Sequence, residues 1–185
     1  LSGCTGMTAI DFGPLSGVTD IQSNFLSGCT GLRSIDFGWL SKAIEIEAQF
    51  LFRCTALTSI DFSGLRGVKI INAYFLSGCT ALAHVEFTGL SGVAVLPQGF
   101  LSGCTSLTSI DFRALVGATT IESEFCSGCR ALSAINFRGL SGVTTLGSEF
   151  LLGCTGLTSI DFSGLGAIPR IPPGFLNDCT SLTAF

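Results

Sequence analysis

The chain repeats itself every 25 residues without insertion, and no other feature constrains its fold as tightly. Seven copies begin at Leu1, Leu26, Leu51, Leu76, Leu101, Cys126 and Leu151, and residues 176–185 start an eighth. The shared pattern is L-S-G-C-T-x-L-T-S-I-D-F-x-x-L-S-G-V-x-x-I-x-x-x-F. A fixed period of about 20–50 residues marks a solenoid, in which each unit buries its apolar side against its neighbours. No linker composition interrupts the period, which argues for a single solenoid over residues 1–185. Both ends fall in mid-repeat without the polar caps that shield a terminal core layer. The stretch is therefore expected to be a section of a longer protein, or to have its ends covered by partners.

One unit shows how a rung is built. Across Ser59 to Phe62 apolar and polar residues alternate, as in a half-buried strand. Ile60 and Phe62 point inward, and Ser59 and Asp61 outward. Gly64 and Gly67 mark turns, and Val68 and Ile71 form a second inward pair. The spacing of Phe75, Leu76 and Cys79 predicts one helical or 3₁₀ turn ended by Gly78. Ile10, Ile35, Ile60, Val85, Ile110, Ile135 and Ile160 occupy one inward position. The Phe12 and Phe25 positions recur in every full unit, giving two aromatic columns. Stacked rung on rung, each buried Phe contributes about 2–3 kcal/mol, with rings offset between layers.

Composition excludes several functions. Apolar residues make up 47% of the chain and mean hydropathy is +0.63, yet polar residues interrupt every apolar run. No segment approaches the roughly 18 residues of a spanning helix, so no membrane insertion is expected from this stretch. Charge is sparse at 12%, with a net value of −4. A nucleic-acid binder would carry a basic stripe, so no nucleic-acid partner is expected. No catalytic residues, metal site or cofactor emerge: Ser-His-Asp sets, phosphate-binding loops and metal-spaced clusters are lacking.

The segments F-L-S-G-C-T-S-L-T-S-I-D-F (Phe100 to Phe112) and V-T-T-L-G-S-E-F (Val143 to Phe150) resemble the BspA-like, Treponema-type leucine-rich repeats. The resemblance covers the whole chain. It implies a leucine-rich-repeat solenoid of the α/β repeat class, with short parallel β-strands stacked per rung and short helical or 3₁₀ turns. It further implies a non-enzymatic binding or adhesion module, extracellular or at a cell surface. The unit departs from the family in being slightly longer, and Phe stands where the family often has an aliphatic residue followed by Pro.

Cys4, Cys29, Cys54, Cys79, Cys104, Cys129, Cys154 and Cys179 share one position. Successive rungs lie about 4.7–4.9 Å apart, beyond the roughly 3.5–4.5 Å between Cβ atoms that a disulfide wants. A straight ladder also fails to converge four ligands on zinc. The column reads as small buried hydrophobes. Cys126 makes a C-x-x-C with Cys129 where other units have Leu, and reads as a core substitution rather than a redox motif.

Asp11, Asp36, Asp61, Glu86, Asp111 and Asp161 form an outward acidic ladder on the expected concave strand face, with Asn136 as the exception. Like charges about 5 Å apart repel, so something offsets them. Three answers stand open: hydrogen bonds from the following turn, pairing with Arg113 and Arg138, or binding of Ca²⁺ or a basic partner. One carboxylate per rung makes a poor calcium cage, and a basic or polar ligand laid along the ladder fits better. His84, the single histidine, sits on the same face two residues before Glu86. Trp39 stands where other units have Gly64, Gly89 or Pro14, either as an exposed hot spot or as a gap filler. Ile168 to Gly174 carries three prolines and is expected to break the second strand of the seventh unit.

Two functions follow. One is recognition of a protein or glycan partner along the strand face. The other is a structural scaffold or filament subunit, inside or outside a cell, with end-to-end or side-by-side self-association.

Overall fold

A computed structural model describes residues 1–166 and 168–184. Two short parallel strands recur along the chain. The first set is β2 (Ser59–Asp61), β4 (His84–Glu86), β6 (Ser109–Asp111) and β8 (Ala134–Asn136); the second is β1 (Glu45–Ile46), β3 (Ile70–Ile71), β5 (Val95–Leu96), β7 (Thr120–Ile121) and β9 (Thr145–Leu146). Every pairing is parallel and offset by one repeat. Ile60 lies opposite Val85, Ile110 opposite Ile135, and Ile121 opposite Leu146. The sequence period is thus the strand register. In β2 the pattern is as expected, with Ile60 buried between exposed Ser59 and Asp61.

The two strand ladders enclose one core that runs from Phe12 to Cys179. Phe rings stack within each aromatic column, as at Phe50 and Phe75 (centroids 5.5 Å, planes 7° apart) and Phe62 and Phe87 (6.2 Å, 17°). Between columns the rings tilt, as at Phe62 and Phe75 (6.0 Å, 53°). Offset stacking avoids face-to-face quadrupole repulsion and adds to the apolar area each ring removes from water.

The turns differ from expectation in one respect. Three-residue 3₁₀ turns follow the first strand position, at Gly13–Leu15, Gly38–Leu40 and Ser63–Leu65. Phe75 to Cys79 instead forms linked turns between two left-handed residues, Tyr74 (φ 61°) and Gly78 (φ 76°). That geometry lets main-chain groups reach the next rung, as in Tyr74 N–H donating to Gln98 O at 2.8 Å and Gly78 N–H to Ser102 O at 2.7 Å.

The second ladder is not continuous. Pairing joins β1 to β3 and β5 to β7 to β9, with a break between β3 and β5. In the continuous stretches, the residue after the inward apolar one donates its N–H to the preceding rung. Asn72 donates to Ile46 O at 2.9 Å, Glu122 to Leu96 O at 2.9 Å and Gly147 to Ile121 O at 2.7 Å. Pro97 holds the same position at the break and has no N–H to give. The expected interruption at Ile168 to Gly174 is also observed: no strand forms there among the described residues, and Ile171 is 75% exposed.

Close rung spacing leaves no room at some glycines. Gly89 has φ 101°, and a Cβ there would collide with the Phe62 carbonyl. Gly89→Ala is expected to destabilise the chain by about 1–3 kcal/mol, measured as a shifted urea midpoint. An unchanged midpoint would contradict this packing.

Candidate functional site

The acidic residues stand on the outer side of the first ladder, and their carboxylates are employed unequally. Each Asp accepts a hydrogen bond from the N–H two residues on: Gly13 to Asp11 (2.7 Å), Gly38 to Asp36 (2.8 Å), Ser63 to Asp61 (2.8 Å), Arg113 to Asp111 (3.0 Å) and Ser163 to Asp161 (2.8 Å). Asn136 does the same for Arg138 at 3.0 Å, which explains why Asn is tolerated in the ladder. These are Asx-turns, the local answer to the charge problem. The second carboxylate oxygen is also engaged in three rungs. Ser63 Oγ and Ser163 Oγ donate to Asp61 and Asp161 at 3.0 Å, and Arg113 Nε donates to Asp111 at 2.7 Å. The Arg113 guanidinium also ion-pairs with Asp111 at 2.6 Å.

Electrostatics follow the bonding. Partial burial raises the Asp111 carboxyl, but the Arg113 side-chain and backbone hydrogen bonds outweigh it and hold it below its ordinary value. The Ser163 N–H and hydroxyl lower Asp161 in the same way. Asp11 and Asp36 keep one carboxylate oxygen without a protein donor, and Glu86 keeps both, among the described residues.

Glu86 lies in a depression of this face. β4 and β6 lie side by side, yet the first ladder pairs β2 with β4 and β6 with β8 and not β4 with β6. A groove of about 640 Å³ opens over this junction, lined by His84, Glu86, Thr88, Ser109, Asp111 and Arg113 among others. It sets the Arg113 guanidinium beside the Glu86 and Asp111 carboxylates; Val85 and Phe87 also line it, with their side chains buried in the core. His84, Ser109 and Asp111 share the groove, but His84 hydrogen-bonds to neither, and Asp111 is committed to Arg113. The nucleophile–base contact of a catalytic triad is not made.

Trp39 is a correction. It is 5% exposed, not an exposed hot spot. Its indole packs 4.3 Å from Phe12 and 6.1 Å from Phe25, filling the space beside the first two rungs. Its Nε1 has no hydrogen-bond partner among the described residues.

The cysteine column does more than fill space. Each buried thiol donates to the carbonyl of the residue 28 positions earlier, in the preceding rung: Cys54 to Leu26 (3.1 Å), Cys79 to Leu51 (3.2 Å), Cys129 to Leu101 (3.2 Å) and Cys154 to Cys126 (3.2 Å). The position therefore requires a side chain that is small, apolar and a weak donor. That signal was present in the complete absence of Ala, Val or Ser from the column. All nine cysteines are free thiols. Burial pushes Cys54 up to about 12 and raises Cys79, Cys104, Cys126 and Cys154. Burial disfavours the nucleophilic thiolate, and Cys126 is fully enclosed in the core.

This rung geometry is shared with known proteins. The model of the BspA-type leucine-rich repeat region matches residues 1–98 and 94–185. The chain belongs to the BspA-type leucine-rich repeat family. A leucine-rich repeat protein from Eubacterium ventriosum is similar in structure at a TM-score of 0.57 and 20% identity, over 84% of this chain and 42% of that one. The T. pallidum leucine-rich repeat protein matches at a TM-score of 0.50 and 20% identity, over 76% of this chain and 72% of its own. The chain thus spans under half the length of the first. No curated protein matches it in sequence. Membership in this family makes the chain a module for protein interaction or scaffolding.

The Asx-turns separate shape from charge. Asp61→Ala is expected to cost about 1 kcal/mol through the lost turn bonds, whereas Asp61→Asn should be nearly neutral, because Asn136 accepts the same turn bond. Equal losses in both variants, read from thermal melts, would contradict the capping role.

Proposed function

We propose that this chain recognises a partner non-covalently, as an adhesion-type module displayed outside the cell, through the first-ladder face centred on the Glu86 groove. The observation that carries this reading is the groove between β4 and β6, where Glu86 has no internal donor and stands beside His84, Ser109 and Arg113. Elsewhere on the face the carboxylates serve their own turns. A groove that offers a carboxylate, a guanidinium and hydroxyls together suits a folded or extended protein surface with a basic side chain over Glu86. A glycan would use the same hydroxyl, carboxylate and guanidinium groups. Asp11 and Asp36 extend the acidic surface toward the first rungs, and Asp61, Asp111 and Asp161 contribute chiefly by shaping turns.

The second reading is a scaffold that associates side by side. It draws on the second ladder, where Ile44, Ile70 and Val95 are 63%, 48% and 41% exposed. Ile70→Lys with Val95→Lys would then dissolve a concentration-dependent oligomer seen by sedimentation.

The test of the first reading is selection of a random dodecapeptide display library and an immobilised glycan panel on the whole chain, repeated on Glu86→Gln and on Arg113→Gln. Binders that lose about tenfold in affinity on Glu86→Gln (about 1.4 kcal/mol) are expected. Selected binders equally strong on both variants would remove the groove from the function.

A further inference from the structure

A second site, on the other ladder, arises from the prolines of the seventh rung. The second ladder propagates by two donations per rung. Thr119 and Thr144 N–H donate to Ala94 O (2.8 Å) and Thr119 O (3.0 Å), and Glu122 and Gly147 N–H donate to Leu96 O (2.9 Å) and Ile121 O (2.7 Å). One rung further, the donor positions are Pro169 and Pro172, and neither has an N–H. Thr144 O and Leu146 O consequently receive no hydrogen bond among the described residues, and β9 ends as an open parallel edge.

The side-chain slot of that missing strand is empty too. The inward position holds Ile21, Ile46, Ile71, Leu96 and Ile121 at 4% exposure or less in earlier rungs. In the seventh rung it is Ile171, turned outward at 75%. An apolar pit of about 250 Å³ lies beside it, lined by Leu146, Phe162, Leu165, Ile168, Phe175 and Ile171 itself. A cleft of about 480 Å³ adjoins it along Thr144, Thr145, Leu146, Pro169, Arg170 and Pro172. Arg170 is the only charged side chain lining that cleft, is exposed, and has no ion-pair partner among the described residues.

We propose that β9 accepts an added strand from a separate polypeptide: an extended, acidic segment of the form x-x-Φ-x, with Φ aliphatic. The N–H of the first residue donates to Thr144 O and that of the fourth to Leu146 O, continuing the ladder. The aliphatic third side chain fills the pit. A flanking carboxylate meets Arg170. This is strand addition, in which main-chain bonds supply affinity and the pocket supplies selectivity. Most of the chain's own segments of this form, such as Thr119 to Glu122, are already paired within the ladder; Thr19 to Gln22 is not, so a second copy is the rival occupant that the oligomeric state tests below. The site is independent of the Glu86 groove.

The probe is a capped peptide copying residues 118–124 (Ala-Thr-Thr-Ile-Glu-Ser-Glu) titrated into the isotopically labelled whole chain and followed by NMR. Saturable shifts confined to Thr144–Leu146 and Ile168–Phe175 are expected. Methylating the backbone nitrogen of the residue that copies Glu122, or replacing the Ile copy with Ala, should weaken binding at least about fivefold. Arg170→Glu should weaken it by a similar factor. Pro169→Lys with Pro172→Asn restores both donors, so it should raise the melting temperature while abolishing binding. No shifts at about 1 mM peptide, undiminished binding of the N-methyl peptide, or undiminished binding by the proline double variant would each overturn the proposal. Dimerisation of the chain alone that vanishes in the proline double variant would overturn it as well, by making a second copy the occupant.

Discussion

Direct superposition of like residues, rung over rung, is the constraint on which the rest of this structure depends. Parallel pairing at an offset of one repeat places Ile60 against Val85 and Phe62 over Phe87 at once. Backbone hydrogen bonds fix the spacing, and the spacing in turn brings the aromatic rings to stacking distance. Neither element is sufficient alone. The strands are only two or three residues long and would be marginal in water without the apolar columns behind them. The columns would have no defined geometry without the ladders. Even the thiols join this scheme, since each buried cysteine of the column is tied to a carbonyl of the rung before it.

Where one rung departs from the pattern, the consequences appear in its neighbour. Pro97 removes a donor and the second ladder divides between β3 and β5. Pro169 and Pro172 remove two, and Ile171 leaves the core. Glu86 in place of Asp receives no turn bond and instead stands free in the groove over the β4–β6 junction. The features that give this solenoid any local identity are therefore exceptions to its repeat. A perfectly regular chain would offer one uniform surface, whereas recognition needs a place that differs from the rest.

Much of the architecture was legible in the sequence because a strict period encodes register, and alternation encodes which side faces in. Ile60, Phe62 and the cysteine column could be placed inside from the pattern alone. The acidic ladder was legible as a row, but not as a set of turn caps, because that depends on where the N–H two residues later points. Trp39 was ambiguous, since burial of that position depends on the space left between Phe12 and Phe25 of the flanking rung. The thiol hydrogen bonds and the effect of Pro97 were also hidden. Both require knowing which carbonyl of the previous rung lies opposite, which is a property of paired rungs rather than of one unit.

Nearest-neighbour stacking is tested most directly by double-mutant cycles along one aromatic column. Phe75 lies 5.5 Å from Phe100 and is separated from Phe150 by two intervening rings. Combining Phe75→Leu with Phe100→Leu should reveal a coupling of about 0.5–1.5 kcal/mol. Combining Phe75→Leu with Phe150→Leu should be additive to within about 0.5 kcal/mol. Equal coupling in both pairs, or none in the adjacent pair, would show that these rings do not form a column in which each layer rests on the next.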